Sequence, residues 1–194
     1  MSSLTNIKDA AITLFSQKGY EATTLNEIAT KVGIKKPSLY IYFSSKQELF
    51  LTIFEELLEE YKMRMEQIIE EVDSAIEEEK LFILFEKYVF AFADEPVKSL
   101  FWNRVFLFPP LDLKEEILGK ISKVESTFIE KESTLIKDLI VQNIIRDISD
   151  ESALIAFRSL REGLLMTYLI NPHLERNKIK EIWKTYWHGL KKGE

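Results

Sequence analysis

Apolar residues recur with the period of an α-helix from the start of the chain. Ile7, Ala10, Ala11, Leu14 and Phe15 stand at i, i+3, i+4, i+7 and i+8, which gathers them into one stripe of an amphipathic helix. Gly19 supplies its stop. Thr24-Leu25-Asn26-Glu27 has the form of a capping box, in which a hydroxyl and a carboxylate satisfy the free N–H groups of a helix start. Leu25, Ile28, Ala29 and Val32 continue at helical spacing until Gly33 ends the second element. Pro37 then suits the first turn of a third short helix, Lys36 to Phe43, with Leu39 and Phe43 on its inner face. A second capping box, Ser45 to Glu48, opens a long helix whose apolar stripe runs from Leu49 through Phe54, Leu58 and Met65 to Val72.

Beyond Val72 the pattern stays helical, and no run alternates as a half-buried strand does. Breaks are expected at the acidic stretch Glu77 to Lys80, at Asp94-Glu95-Pro96, at Pro109-Pro110, at Ser149-Asp150 and at Asn171-Pro172. They predict an all-α protein of about nine helices. The last two span about Asp150 to Ile170 and Glu175 to Lys191.

Composition narrows the classes. With 46% hydrophobic residues among 194, the chain can bury a sizeable core, which excludes a disordered chain. There is no cysteine, so disulfides and thiolate metal sites are excluded. The amino terminus MSSLTNIKDA lacks the basic and apolar regions of a secretion signal, and no apolar stretch approaches the ~20 residues of a membrane span. A cytoplasmic protein with no membrane partner is expected. The net charge of −6 argues by itself against a polyanion partner, but it is unevenly spread. Residues 1–50 hold six lysines against four acids, so a mildly basic end joins a body of net charge −8. Either chance unevenness or a nucleic-acid-binding end produces that split.

The second and third short helices, separated by Gly33-Ile34-Lys35, have the dimensions of a helix-turn-helix, whose second helix enters the major groove of DNA. With Leu39 and Phe43 inward, the lysines, Ser38, Ile41 and Tyr42 face solvent, where Lys35, Lys36 and Lys46 can neutralise phosphates and tyrosine hydroxyls can fix the register.

Thr23-Thr24-Leu25-Asn26-Glu27-Ile28-Ala29, then Val32-Gly33-Ile34-Lys35-Lys36-Pro37-Ser38-Leu39-Tyr40-Ile41-Tyr42-Phe43, then Ser45-Lys46-Gln47-Glu48-Leu49, resemble the TetR/AcrR family of transcriptional regulators over about residues 5–54. The resemblance implies a TetR-like fold with a helix-turn-helix DNA-binding domain at 1–46 and a helical effector-binding and dimerisation domain at 47–194. It implies a homodimer on a palindromic double-stranded operator, in most members a repressor released by a small-molecule effector. By position it assigns DNA contacts to Thr24, Asn26, Lys35, Lys36, Pro37, Ser38, Tyr40, Tyr42 and Lys46. Lys35 stands where the family often has serine, and Ile41 where an aromatic or polar residue is common, so Ile41 either reads a thymine methyl or only packs. Tyr40 has a core role as its alternative. The third helix offers no arginine, asparagine or glutamine, so bidentate base contacts are scarce and DNA shape carries more of the recognition.

In the body, Phe85, Tyr88, Phe92, Trp102, Arg104 and Phe106 are candidates to line an effector pocket, with Arg104 facing an acidic ligand group. Core packing is the competing role for the aromatics, and a salt bridge or solvent for Arg104. Gly163, inside a helix, either lets a second helix approach closely or packs within the chain. The family's last two helices pair with their copies in the dimer. An enzyme finds little support: His173 and His188 are the only histidines, and no HExxH, P-loop or GxGxxG occurs. Glu55, Glu56, Glu59 and Glu60 read as a solvated helix face, and no cofactor is expected. A DNA-binding protein of the same fold without a small-molecule effector is the nearer alternative.

Overall fold

A computed structural model describes residues 3–171 and 173–193, and among them the chain forms nine α-helices and one 3-10 turn. The helices are α1 Ser3–Ala22, α2 Leu25–Val32, α3 Lys36–Leu39, α4 Lys46–Asp73, α5 Glu77–Ala93, α6 Pro96–Leu107, α7 Lys114–Val141, α8 Asp150–Ile170 and α9 Lys178–Leu190; the 3-10 turn is Leu111–Leu113. The chain divides into two compact units. The first comprises Met1–Lys62 and Glu95–Ile121, the second Met63–Asp94 and Ser122–Glu194, so α4 and α7 contribute to both.

In the first unit α1 packs on α6 and α2, and α2 on α3. The predicted stripe Ile7, Ala10, Ala11, Leu14 and Phe15 is buried, together with Leu25, Ile28, Leu39, Phe43, Leu49, Phe50 and Phe54. The edge of Phe15 meets Phe50 at 5.1 Å, a geometry that adds ~0.5–1.5 kcal/mol beyond area burial. The carboxylates of α4 are employed rather than merely solvated. Lys8 pairs with Glu56, Lys120 with Glu55, and Lys98 with Glu60 at 2.7 Å, tying α4 to α1, α7 and α6.

In the second unit α5 packs on α8. Phe85 and Phe157 surround Trp183 of α9, the Phe85 ring lying 5.2 Å from it. The interior also holds charge: Arg161 is fully buried and pairs with Glu132, itself 1% exposed. Glu132 also accepts from Arg158 at 2.7 Å, and Arg158 reaches Glu125 at 2.6 Å. Arg161 lies 3.7 Å above the Tyr88 ring centre, a cation–π contact shielded from water.

Three boundaries differ from the sequence reading. Residues Glu77, Glu78 and Glu79 do not break a helix but open α5, where their charge suits the positive end of the helix dipole; the break lies just before them. The third helix is four residues long rather than reaching Phe43, because the chain tightens after Leu39. Tyr42 N–H bonds the Leu39 carbonyl at 3.0 Å, and Phe43 N–H shares the same acceptor at 3.1 Å. Finally α7 stops at Val141 without glycine or proline, as Asn143 adopts a left-handed φ of 57° and Ile144 N–H bonds back to Leu139. Of the predicted break at Asn171-Pro172, Asn171 caps α8 while Pro172 lies outside the described residues.

Candidate nucleic-acid interface

Local capping chemistry builds the site. Thr24 Oγ1 accepts from Glu27 N–H at 3.2 Å, and the Glu27 carboxylate accepts from Thr24 N–H at 2.9 Å, so the predicted box is closed in both directions. At the other end of α2, Gly33 has φ 78°, a conformation costly to any residue with a Cβ. Its N–H bonds Thr30 and that of Ile34 bonds Ala29, the paired bonds of a Schellman stop. The chain therefore turns within three residues and starts α3 at Lys36. The box before α4 is modified: Glu48 N–H bonds Ser45 Oγ at 3.0 Å, while the Glu48 carboxylate reaches one residue further back, to Ser44 N–H and hydroxyl.

Leu39 and Phe43 are buried as predicted, which turns the other side chains outward. Lys35, Lys36 and Pro37 are exposed, Ser38 is half-buried, and Thr24 and Asn26 are exposed at the amino end of α2. Tyr40 is 48% exposed, so it is not a core aromatic; Ile41 is 80% and Tyr42 41% exposed. Lys36 stands 5.8 Å over the Tyr40 ring. Two tyrosines, an isoleucine and two lysines thus form one exposed surface on α3, the residue before it and the turn after it.

Lys46 is placed differently from the other lysines. Its ammonium donates to the Tyr20 carbonyl at 2.7 Å and lies 4.1 Å over the Tyr20 ring, so α1 positions it. Tyr20 was absent from the sequence-derived set; an aromatic directly after the helix-stopping Gly19 was the available signal. Lys18 pairs with Glu27 at 2.6 Å, which links α1 to the cap of α2.

The Glu27 carboxyl is held down to about 2 by Lys18 foremost, then by the Thr24 N–H and hydroxyl. Its folded value lies below the ordinary 4.5, so its stabilising effect is complete above pH 4.5 and is lost as pH falls through about 2. Circular dichroism of wild type and Glu27→Gln over that window should diverge, wild type gaining more stability as pH rises than the variant, in which Glu48 and the other paired carboxylates still titrate. Superimposable curves would show that the box contributes nothing.

The six residues proposed for an effector fall into two groups. Phe85, Tyr88 and Phe92 belong to α5 in the second unit, where Phe85 and Tyr88 are buried and the Tyr88 and Phe92 rings lie 4.7 Å apart. Trp102, Arg104 and Phe106 belong to α6 in the first unit, and Phe106 is 48% exposed. Arg104 is engaged within the chain: its Nε donates to the Ser16 carbonyl at 3.2 Å and Nη2 to that of Gln17 at 2.8 Å, capping α1 before its break at Gly19. Among the described residues no cluster of three or more histidine, aspartate or glutamate side chains is arranged to hold a metal, and no helix is long and apolar enough to cross a membrane.

A capped helix joined through a left-handed glycine to a second short helix, presenting lysines and tyrosines outward, defines a helix-turn-helix head in an all-helical chain. Residues 7–53 match the family described as bacterial regulatory proteins, tetR family. Over 44 residues, 23% of this chain, it is 59% identical to IcaR, the negative transcriptional regulator of the biofilm operon icaADBC of Staphylococcus aureus. That segment spans 24% of IcaR's length. Among solved structures, NalD of Pseudomonas aeruginosa, the secondary repressor of the MexAB-OprM multidrug efflux pump, superposes with a TM-score of 0.70 at 22% identity, covering 99% of this chain and 97% of NalD. The regulator FadR of Bacillus subtilis, in complex with stearoyl-CoA, does so with a TM-score of 0.61 at 19% identity, covering 92% and 96%. The TetR fold thus extends over both units.

Proposed function

We propose that this protein is a cytoplasmic, ligand-responsive transcriptional repressor that binds a palindromic operator as a homodimer. The observation that carries the reading is the outward face Lys35, Lys36, Tyr40, Ile41 and Tyr42, displayed by α3 and the turn after it, which are anchored inward by Leu39 and Phe43. Lys35, Lys36 and Lys46 neutralise phosphates, Thr24 and Tyr42 fix the register, and Asn26, Pro37, Ser38 and Tyr40 approach the groove. Two such heads ~34–36 Å apart engage successive major grooves on one side of the duplex. The negative regulation named for IcaR and the repression named for NalD support the sign of the effect.

Dimerisation is supported by the outer face of α8. Ile155, Ser159, Gly163, Met166 and Ile170 follow one another at spacings of three and four residues, all exposed, and a Cβ on Gly163 would meet no atom within 4 Å. Packing within the chain therefore does not account for that glycine. An effector, for which the acyl-CoA bound to FadR is a precedent, would act by its differential affinity for DNA-competent and incompetent states.

Footprinting on selected genomic fragments, followed by salt titration, tests the reading. Lys36→Ala should weaken binding across sequences and reduce the slope of log affinity against log salt by about 1. An unchanged slope removes Lys36 from the interface; no fragment preference at low salt overturns the function.

A further inference from the structure

We propose that the first unit carries a binding site of its own for a small amphipathic anion, in a cavity of about 500 Å³ between the carboxyl end of α1, α4, α6 and the Pro109-Pro110 turn. The volume is that of a ligand site rather than a packing defect. It is separate from the effector of the body invoked above, and its existence does not depend on DNA binding.

The floor is rigid and apolar. Phe50 packs between Phe15 at 5.1 Å and Phe101 at 5.5 Å, and the Tyr20 ring meets Phe50 edge-on at 4.9 Å. The mouth is apolar as well: Leu107, Phe108 and Leu111 are 67%, 72% and 82% exposed. Three large apolar side chains grouped at a cavity mouth leave unspent ~1.5–3 kcal/mol of burial each, which a water-soluble fold rarely tolerates without a use.

The polar groups in the wall select the head group. Arg104 spends Nε and Nη2 on the last carbonyls of α1, while its Nη1, 3.6 Å from where a Cβ on Gly19 would stand, has no hydrogen-bond partner among the described residues. The Lys114 ammonium likewise has no ion pair or hydrogen bond among them. Of the other charged lining residues, Lys18 is matched by Glu27, and Glu21 is the one acid; Asp112 lies close enough to act on the Tyr20 hydroxyl. Two cations with unused donors beside an aromatic floor fit a carboxylate or sulfonate on an apolar body. The same Tyr20 holds Lys46 through its carbonyl and ring, so a molecule seated against it acts on a proposed phosphate contact within the head itself. That consequence alone rests on the DNA-binding reading.

The test uses the full chain and two fluorescent probes that share their rings: 1-anilinonaphthalene-8-sulfonate and the uncharged N-phenyl-1-naphthylamine. Lys114→Glu and Phe108→Ser alter exposed residues and should leave the fold intact, checked by circular dichroism. Lys114→Glu should weaken the sulfonate by about ten-fold while leaving the neutral probe nearly unchanged, and Phe108→Ser should weaken both. The proposal is overturned if both variants bind the sulfonate as wild type does, which places it elsewhere, or if Lys114→Glu shifts both probes equally. Saturating sulfonate should also lower operator affinity of wild type more than of Lys114→Glu. Probe binding that follows this pattern in a protein without operator affinity would leave the site standing and overturn the DNA-binding reading instead.

Discussion

Replacing Glu132 with leucine should destabilise the protein by ~3–5 kcal/mol, a large part of the 5–15 kcal/mol typical of a folded domain. Glu132 is 1% exposed and is shared by Arg161 and Arg158. Without it Arg158 retains Glu125 at 2.6 Å, but Arg161 retains Glu162 at 3.3 Å as its one remaining carboxylate among the described residues, with the Tyr88 and Phe157 rings beside it. Glu162 is half-exposed, and solvent weakens its attraction, so a fully buried guanidinium is left poorly compensated. The double variant Glu132→Leu/Arg161→Met removes the orphaned charge together with its partner and should recover most of the loss. Urea denaturation of both variants decides the matter. A single-variant loss below ~1 kcal/mol, or a double variant as unstable as the single, would show that this pair is not what holds α7 to α8.

The second large effect concerns assembly. Gly163→Arg should convert the protein to a monomer and lower operator affinity by roughly 10²–10⁴-fold, the avidity that linking two half-site contacts supplies. The substitution is mild for the isolated chain: no atom lies within 4 Å of the new Cβ, and arginine is a better helix former than glycine by ~0.8–1 kcal/mol. Its long charged side chain would instead stand in the middle of the Ile155–Ile170 stripe on α8. Sedimentation gives the mass and a gel-shift assay the affinity. A variant that remains dimeric with full affinity would move the interface to another face. One that is monomeric yet binds the operator as wild type does would overturn the homodimer as the DNA-binding species.

The head was the most legible part of the chain because its rules are local. A capping box acts over three residues, a glycine stop over five, and both Thr24 to Glu27 and Gly33 stand as their spacing predicts. The inner and outer faces around Leu39 were equally legible, since one turn of helix fixes which side chains share a side. Where local rules compete, they were a poorer guide. Acids at Glu77 to Glu79 read as a break when they begin a helix, and Asn143 stops α7 with a left-handed turn that asparagine adopts only some of the time.

The aromatics of α5 and α6 show the other limit. Periodicity could not separate core from pocket, because both place rings at helical spacing. Packing separates individual residues: Phe85 is closed against Trp183, whereas Phe106 is half-exposed beside Trp102. Arg104 and Lys46 find their partners 87 and 26 residues away, at Gln17 and Tyr20.

By itself, then, the order of residues determined the helical class, the helix-turn-helix and the side chains it turns outward, since each follows from hydrogen bonds and sterics within a turn or two. Only the tertiary structure decided that Arg161 and Glu132 meet in the interior and that Gly163 faces outward. It alone assembled a cavity from α1, α4, α6 and a proline turn. These depend on which distant surfaces exclude water together, a property of the packed chain that no short window of sequence contains.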